Sequence, residues 1–197
     1  MHVSKINYID FFESAFDSRS EAQQFIEAVE KIPTDKCKAG IVLHQTARMV
    51  WLGDRINEVA MKRPALQVLF HLIAAEAVAK IVKGFKGEGQ SRQYVRLFFE
   101  DICSDEHRDI FGKTFSRLHA GYLSVRDTVD ILYDIRCDVV HEGMYFGFSL
   151  PEKGESYPEL TMSRNEPLTA YITIEKLRQI VIEGAVLGAK KLASGYI

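Results

Sequence analysis

The chain has 197 residues, 47% of them apolar and 26% charged, which is long enough to bury one good core and too apolar for a disordered segment. A formal net charge of -2 excludes bulk attraction to polyanions, so any nucleic-acid contact has to come from a local patch. Cys37, Cys103 and Cys137 are odd in number and lack CxxC spacing, which argues against a disulfide framework and a structural zinc site and fits reduced thiols in a cytosol.

The opening stretch MHVSKINYIDFFESAF has no continuous apolar core and no small-residue cleavage site, so it does not read as a secretory signal. Ser20 with Gln23 is a capping-box pattern, and Phe25, Ile26, Val29 and Ile32 follow at helical spacing up to Pro33. Residues 36–60 predict a second helical stretch, interrupted or bent near Gly53. Pro64 suits a first helical turn, and the helix after it is apolar on nearly every side until Gly84, Gly87 and Gly89. Gln67, His71, Glu76 and Lys80 break that run too often for a membrane span and make it the central core helix. At roughly 100° per residue Gln67 and His71 share one side and Glu76 and Lys80 the opposite one. Glu76 and Lys80 are a favourable i,i+4 ion pair, and a Glu in so apolar a helix is also placed to face a site.

Residues 91–102 and 107–118 predict two shorter helices, and 124–140 a long one. Beyond Gly143 the period falls to two. Phe146, Phe148 and Leu150 alternate, the turn-rich PEKGESYPE follows, and then Leu160 with Met162 and the series Leu168, Ala170, Ile172 and Ile174 alternate again. That pattern is a small antiparallel β insertion over about 144–173. Thr173 and Glu175 open a final helix carrying Leu177, Ile180, Val181 and Leu187. The expected fold is therefore a mainly α helical bundle with a small antiparallel β insertion before the last helix. An N-terminal helical segment, 1–62, packs on a domain spanning 63–197.

The chemically loaded segment is Leu132 to Gly143. On a helical wheel Val125, Val129, Leu132 and Val139 form one stripe, with Asp127, Asp130, Asp134 and Asp138 mostly opposite. Arg136 falls within the apolar stripe. A guanidinium keeps its charge and costs several kcal/mol to bury alone, so it needs a carboxylate, carbonyls, a phosphate or a wet interface. His141 lies five positions on, roughly 7.5 Å along a continuing helix and about 140° round, where the two do not meet. Gly143 stands where a helix C-terminus closes, and unwinding near Val140 would let the imidazole turn toward the Arg136 side or toward a second subunit. An Arg and a His converging there suit a phosphate ester, the cation holding charge and the imidazole moving protons near neutral pH.

LYDIRCDVVHEG, with Arg136, four residues and His141, resembles the signature of HEPN domains, in particular the Apea-like branch, whose motif is Arg, four to six residues, His near the end of a long helix. The likeness extends loosely from about Pro64 to Lys191. The resemblance implies a helical bundle that forms a homodimer through the motif helices, with Arg136 and His141 of both chains lining a shared cleft. It further implies a metal-independent endoribonuclease that uses the RNA's own 2'-hydroxyl and leaves a cyclic phosphate, without a cofactor. His141 would transfer the proton and Arg136 hold the phosphate, with Asp138, Glu76 and Tyr145 in supporting positions. The settings it implies are cytoplasmic stress, toxin–antitoxin or phage-defence systems, with an antitoxin or other partner protein, RNA as substrate and no membrane. A non-catalytic HEPN-like dimer that binds or scaffolds is the other reading, with Arg136 paired to an acidic residue such as Glu76. Cys137 stands where the family often has Asn or Asp, and the aspartate stripe would repel an RNA backbone if it faced the cleft.

Other groupings are weaker. Cys137 with His141 is an i,i+4 pair without a third partner, and Asp134, Asp138 and His141 as a metal site compete with a simple solvated acidic face. His44, His71, His107 and His119 lack zinc spacing, and Trp51, Phe98, Phe99, Phe111 and Phe115 read as core. GFKGEG follows a helix and lacks the Lys-Ser/Thr of a phosphate loop.

Overall fold

The computed structural model describes residues 6–85, 87–117, 121–154, 158–164 and 166–197. Helix α1 (Tyr8–Phe12) starts at Asn7, whose side chain accepts from the Ile9 and Asp10 amides, and α2 (Arg19–Glu30) starts at Ser18, whose hydroxyl accepts from the Glu21 amide. The cap therefore lies two residues before the Ser20 and Gln23 pattern, and the sequence Ser18 to Glu21 fits the same rule. Helix α3 (Ala39–Val59) is continuous through Gly53. No bend is needed, because Gly53 serves packing. A Cβ there would stand 3.3 Å from Phe70 Cβ and 3.4 Å from His71 Nε2, so its absence lets α3 lie close on α4 (Pro64–Lys83).

Helix α4 is long and apolar enough to cross a membrane by length and composition, yet Val68, Leu72, Ala75, Val78 and Ala79 are buried within this chain. Its neighbours are α3, α8 (Ile174–Ala193), α5 (Ser91–Leu97) and α7 (Val125–Cys137). Helix α8 is capped by Thr173, whose hydroxyl accepts from the Lys176 amide, and presents Gly184 and Gly188 to its neighbours. A Cβ on Gly188 would lie 3.1 Å from Val82 and 3.2 Å from Val78, which is how closely α8 approaches α4.

The stretch 91–102 is α5 followed by a wider, π-type turn at Phe98–Ile102, and α6 spans Asp105–Phe111. Phe98, Phe99, Phe111 and Phe115 are all buried, with the Phe99 and Phe111 rings stacked at 4.1 Å. The expected helix over 107–118 is corrected: it stops at Phe111, and Phe115–Arg117 is a strand, β1. Phe115 is buried, Ser116 half-buried and Arg117 exposed, so burial falls along this short strand without the period-two alternation that marks one in a sequence.

With β2 (Gly121–Tyr122), β3 (Glu159–Ser163) and β4 (Glu166–Ala170) it makes an antiparallel sheet of order β2-β1-β4-β3. Phe115 pairs with Ala170, and Glu159 with Ala170 on the other side. Phe115, Leu168 and Ala170 bury one face. The alternation at Phe146, Phe148 and Leu150 sets burial without a strand. Phe148 and Leu150 are buried and Phe146 exposed, but the chain is tied to β3 by one backbone bond, Met162 N donating to the Gly147 carbonyl at 3.3 Å, and by Ser149 N donating to Thr161 Oγ1 at 2.9 Å. Strand β4 ends at Ala170, so Ile172 is buried beyond it and Ile174 already belongs to α8. His119, and the centre of the PEKGESYPE turn, lie outside the described residues.

Two predictions follow from packing. Gly184→Ala gains up to about 1 kcal/mol of helix propensity, but its Cβ would meet Phe98 Cζ at 2.6 Å and Cys103 Sγ at 2.9 Å, both in the core. Overpacking costs about 1–3 kcal/mol, so the melting temperature of this variant drops below that of the parent in calorimetry. His71 is fully buried, neither ring nitrogen has a partner among the described residues, and burial, assisted by the Arg178 charge, holds its pKa down to about 3 from 6.5. The unfolded chain thus takes up a proton below pH 6.5 that the folded chain refuses until about pH 3, so this contribution is intact above 6.5 and lost on acidification through that window. Urea titrations at pH 7 and pH 5 will show His71→Leu losing less stability between them than the parent, by about 2 kcal/mol.

Candidate functional site

Helix α7 starts at Ser124, whose hydroxyl accepts from the Asp127 amide, and its inner face is Val129, Leu132 and Ile135, with Val125 and Val139 half-buried at the ends. Arg136 follows Leu132 by one turn and so enters the seam with α4, where its side chain is only 18% exposed. Its Nη2 donates to Glu76 Oε2 at 3.3 Å and its Nη1 to the Tyr133 hydroxyl at 3.2 Å, and the guanidinium lies 5.0 Å from the Tyr133 ring centre. The buried Nε has no partner among the described residues.

Glu76 is the hub. Its Oε1 accepts from Lys80 Nζ at 2.5 Å and from Ser91 Oγ at 2.6 Å, while Oε2 takes Arg136, so α4, α5 and α7 meet at a single, almost buried carboxylate. The i,i+4 pair with Lys80 matches the sequence reading, and the same Glu also faces Arg136. One negative charge is thus shared between two cations.

The aspartates do not form a bare solvated face. Arg96 grips Asp130 through Nε and Nη2 at 2.9 and 2.5 Å, which raises the Arg96 pKa, and Arg92 binds Asp134. Arg164, from the end of β3, reaches Asp134 Oδ2 at 3.2 Å. The expectation of a repulsive stripe is thereby corrected for Asp130 and Asp134, whose charges are matched within the chain. The signal was readable: Arg92 with Arg96 and Asp130 with Asp134 share a four-residue spacing, which matches two facing helices. Tyr133, one turn before Arg136, was missed because an aromatic on a helix reads as core.

After Cys137 the helix widens to a π-type turn, Asp138–Glu142, and Gly143 ends it in the left-handed region at φ 66° and ψ 15°. His141 sits on that turn with its ring exposed, whereas Arg136 is turned inward. One copy of the chain therefore does not bring Arg136 and His141 together. Asp138 and Tyr145 line a cavity beside this turn, and the Tyr145 and Phe146 rings lie 4.3 Å apart. Burial pushes the Asp138 carboxyl pKa up, partly opposed by Arg164. Val140, Met144 and Phe146 are exposed around the same helix end.

His44 and His107 are occupied otherwise. His44 Nδ1 contacts the Tyr8 hydroxyl at 2.6 Å, and His107 Nε2 meets Glu183 at 2.5 Å in the core. Cys103 is buried, which raises its thiol pKa, and Cys137 is half-buried. Among the described residues no three His, Cys, Asp or Glu side chains are grouped to hold a metal ion.

Glu76→Gln keeps the shape and removes the charge that Arg136 and Lys80 share. Hydrogen bonds to charged groups contribute about 1.5–3 kcal/mol, and a loss of that order in urea unfolding is expected; parent-like stability would show that the carboxylate is not what holds the seam. No protein-family model, curated protein or solved structure matches the chain.

Proposed function

We propose that the chain is a HEPN-like homodimer that cleaves RNA without a metal, its two motif helices meeting so that both copies of Arg136 and His141 face one cleft. The observation that carries this reading is the shared carboxylate. Glu76 faces both Lys80 and Arg136, which leaves one positive charge uncompensated in a seam where solvent still reaches the guanidinium. A phosphate diester is the ligand that such a half-satisfied guanidinium favours. Exposed Val140, Met144 and Phe146 around the motif end give a second copy an apolar surface to cover.

In that cleft the 2'-hydroxyl of the substrate loses its proton to an imidazole and attacks the adjacent phosphorus. The 5'-oxygen leaves with a proton, giving a 2',3'-cyclic phosphate and a 5'-hydroxyl end. His141 carries the proton, being the exposed titratable ring at the helix end. Arg136 balances the charge that builds on the phosphoryl oxygens. A cytosolic setting with a protein that restrains the activity is part of the same proposal.

A second reading has its own support. Arg136 already bonds Glu76 and Tyr133, as an arginine kept for architecture would, and the dimer would then bind or scaffold without cutting. Mixed RNA incubated with the purified chain in EDTA separates the two. Cleavage that survives chelation and falls about 100-fold or more in His141→Ala is expected. Equal cleavage by both proteins, or none by either, leaves the scaffold.

A further inference from the structure

The terminal turn of α7, the stretch 144–148 and the end of β3 line a half-open cavity of about 530 Å³, within the range of small-ligand sites. Met144, Phe148 and Met162 wall it, and Asp138, Glu142 and Arg164 form its polar edge. Two carboxylates against one guanidinium disfavour an anion inside, the more so because Arg164 is already bound to Asp134 at 3.2 Å.

Asp138 is the group left with capacity. Arg164 Nε stands 3.9 Å from its Oδ1, too far for a hydrogen bond, and among the described residues no side chain or amide donates to this half-buried carboxylate. Arg164 makes its closer approach to Asp134, Nη1 to Oδ2 at 3.2 Å, and so leaves the Asp138 carboxylate without a direct donor among the described residues. The ligand that fits is flat, uncharged, apolar on its faces and rich in neighbouring N–H donors on one edge.

We propose that this cavity is a nucleobase subsite selecting guanine, with the Asp138 carboxylate accepting N1–H and one N2–H together and the thioether and phenyl walls taking the base faces. The inference rests on the RNA-cleaving reading and names the base held beside the cut. Adenine and cytosine offer a single amino group on their pairing edge, and uracil flanks its one N–H with carbonyls that a carboxylate repels, so neither reproduces a two-donor match. Phe and Met supply stacking and soft contact to the ring face.

Titration calorimetry of the full chain with GMP, IMP, AMP and CMP tests it. GMP binds about tenfold or more tighter than IMP, which lacks only the 2-amino group, and AMP and CMP bind no better than IMP. Asp138→Asn, equal in size, abolishes the GMP preference while circular dichroism stays parental, and Glu142→Gln, which removes a rim charge that repels the phosphate, leaves the order of the four nucleotides unchanged. Equal affinity for GMP and AMP, no binding of any nucleotide, or a preference that survives Asp138→Asn overturns the subsite. The two proposals fail separately: cleavage that ignores guanine sinks the subsite and spares the nuclease, whereas GMP selectivity without cleavage supports the subsite and removes the nuclease.

Discussion

A carboxylate placed on an otherwise apolar helix organises this molecule. Glu76 is nearly buried, and an ionised acid in that position is tolerable only with its lone pairs filled. Lys80, Ser91 and Arg136 fill them from α4, α5 and α7, so three helices are fixed by the need of one group. The arrangement also sets the surroundings of Arg136: the residue is drawn inward by Glu76 and Tyr133, but it shares its counter-charge with Lys80, and its Nε is unpaired among the described residues.

The outer side of α7 follows a different logic. Arg92 and Arg96 of α5 cover Asp134 and Asp130, and Arg164 comes from the sheet to the same row. These pairs are partly exposed, so each contributes modestly to stability. Their effect is on charge distribution: they remove a negative field from the flank of the motif helix and tie the β layer to it. The acidic face is thus matched at Asp130 and Asp134 once its neighbours are in place.

Much of this was legible in the residues. The helical class, the core role of α4 and the β insertion followed from periodicity, because long stretches bury one stripe and short ones alternate. Thr173 as a cap and Gly143 as a stop followed from backbone chemistry. Three features were not legible. Gly53 reads as a bend but is a contact, since sequence cannot say whether a missing side chain serves flexibility or proximity. Phe115–Arg117 is too short for its period to show, and its strand exists because β4 supplies a ladder. Residues Phe146, Phe148 and Leu150 alternate beside β3 without a full ladder: Met162 N donates to the Gly147 carbonyl, but the Ser149 amide goes to the Thr161 hydroxyl and not to a backbone carbonyl. At the site, Arg136 as a charge in an apolar stripe was visible, whereas its shared carboxylate and the orientation of His141 depend on the tertiary seam.

The widened turn at Asp138–Glu142 has an effect on how the chain can vary. A π-type ring closes over one residue more than an α turn, so a single residue can be gained or lost there while the packed length of α7 before it and the glycine stop after it keep their places. The stretch between the arginine and the histidine is a length buffer, able to absorb insertions that would elsewhere rotate a helix face out of its core.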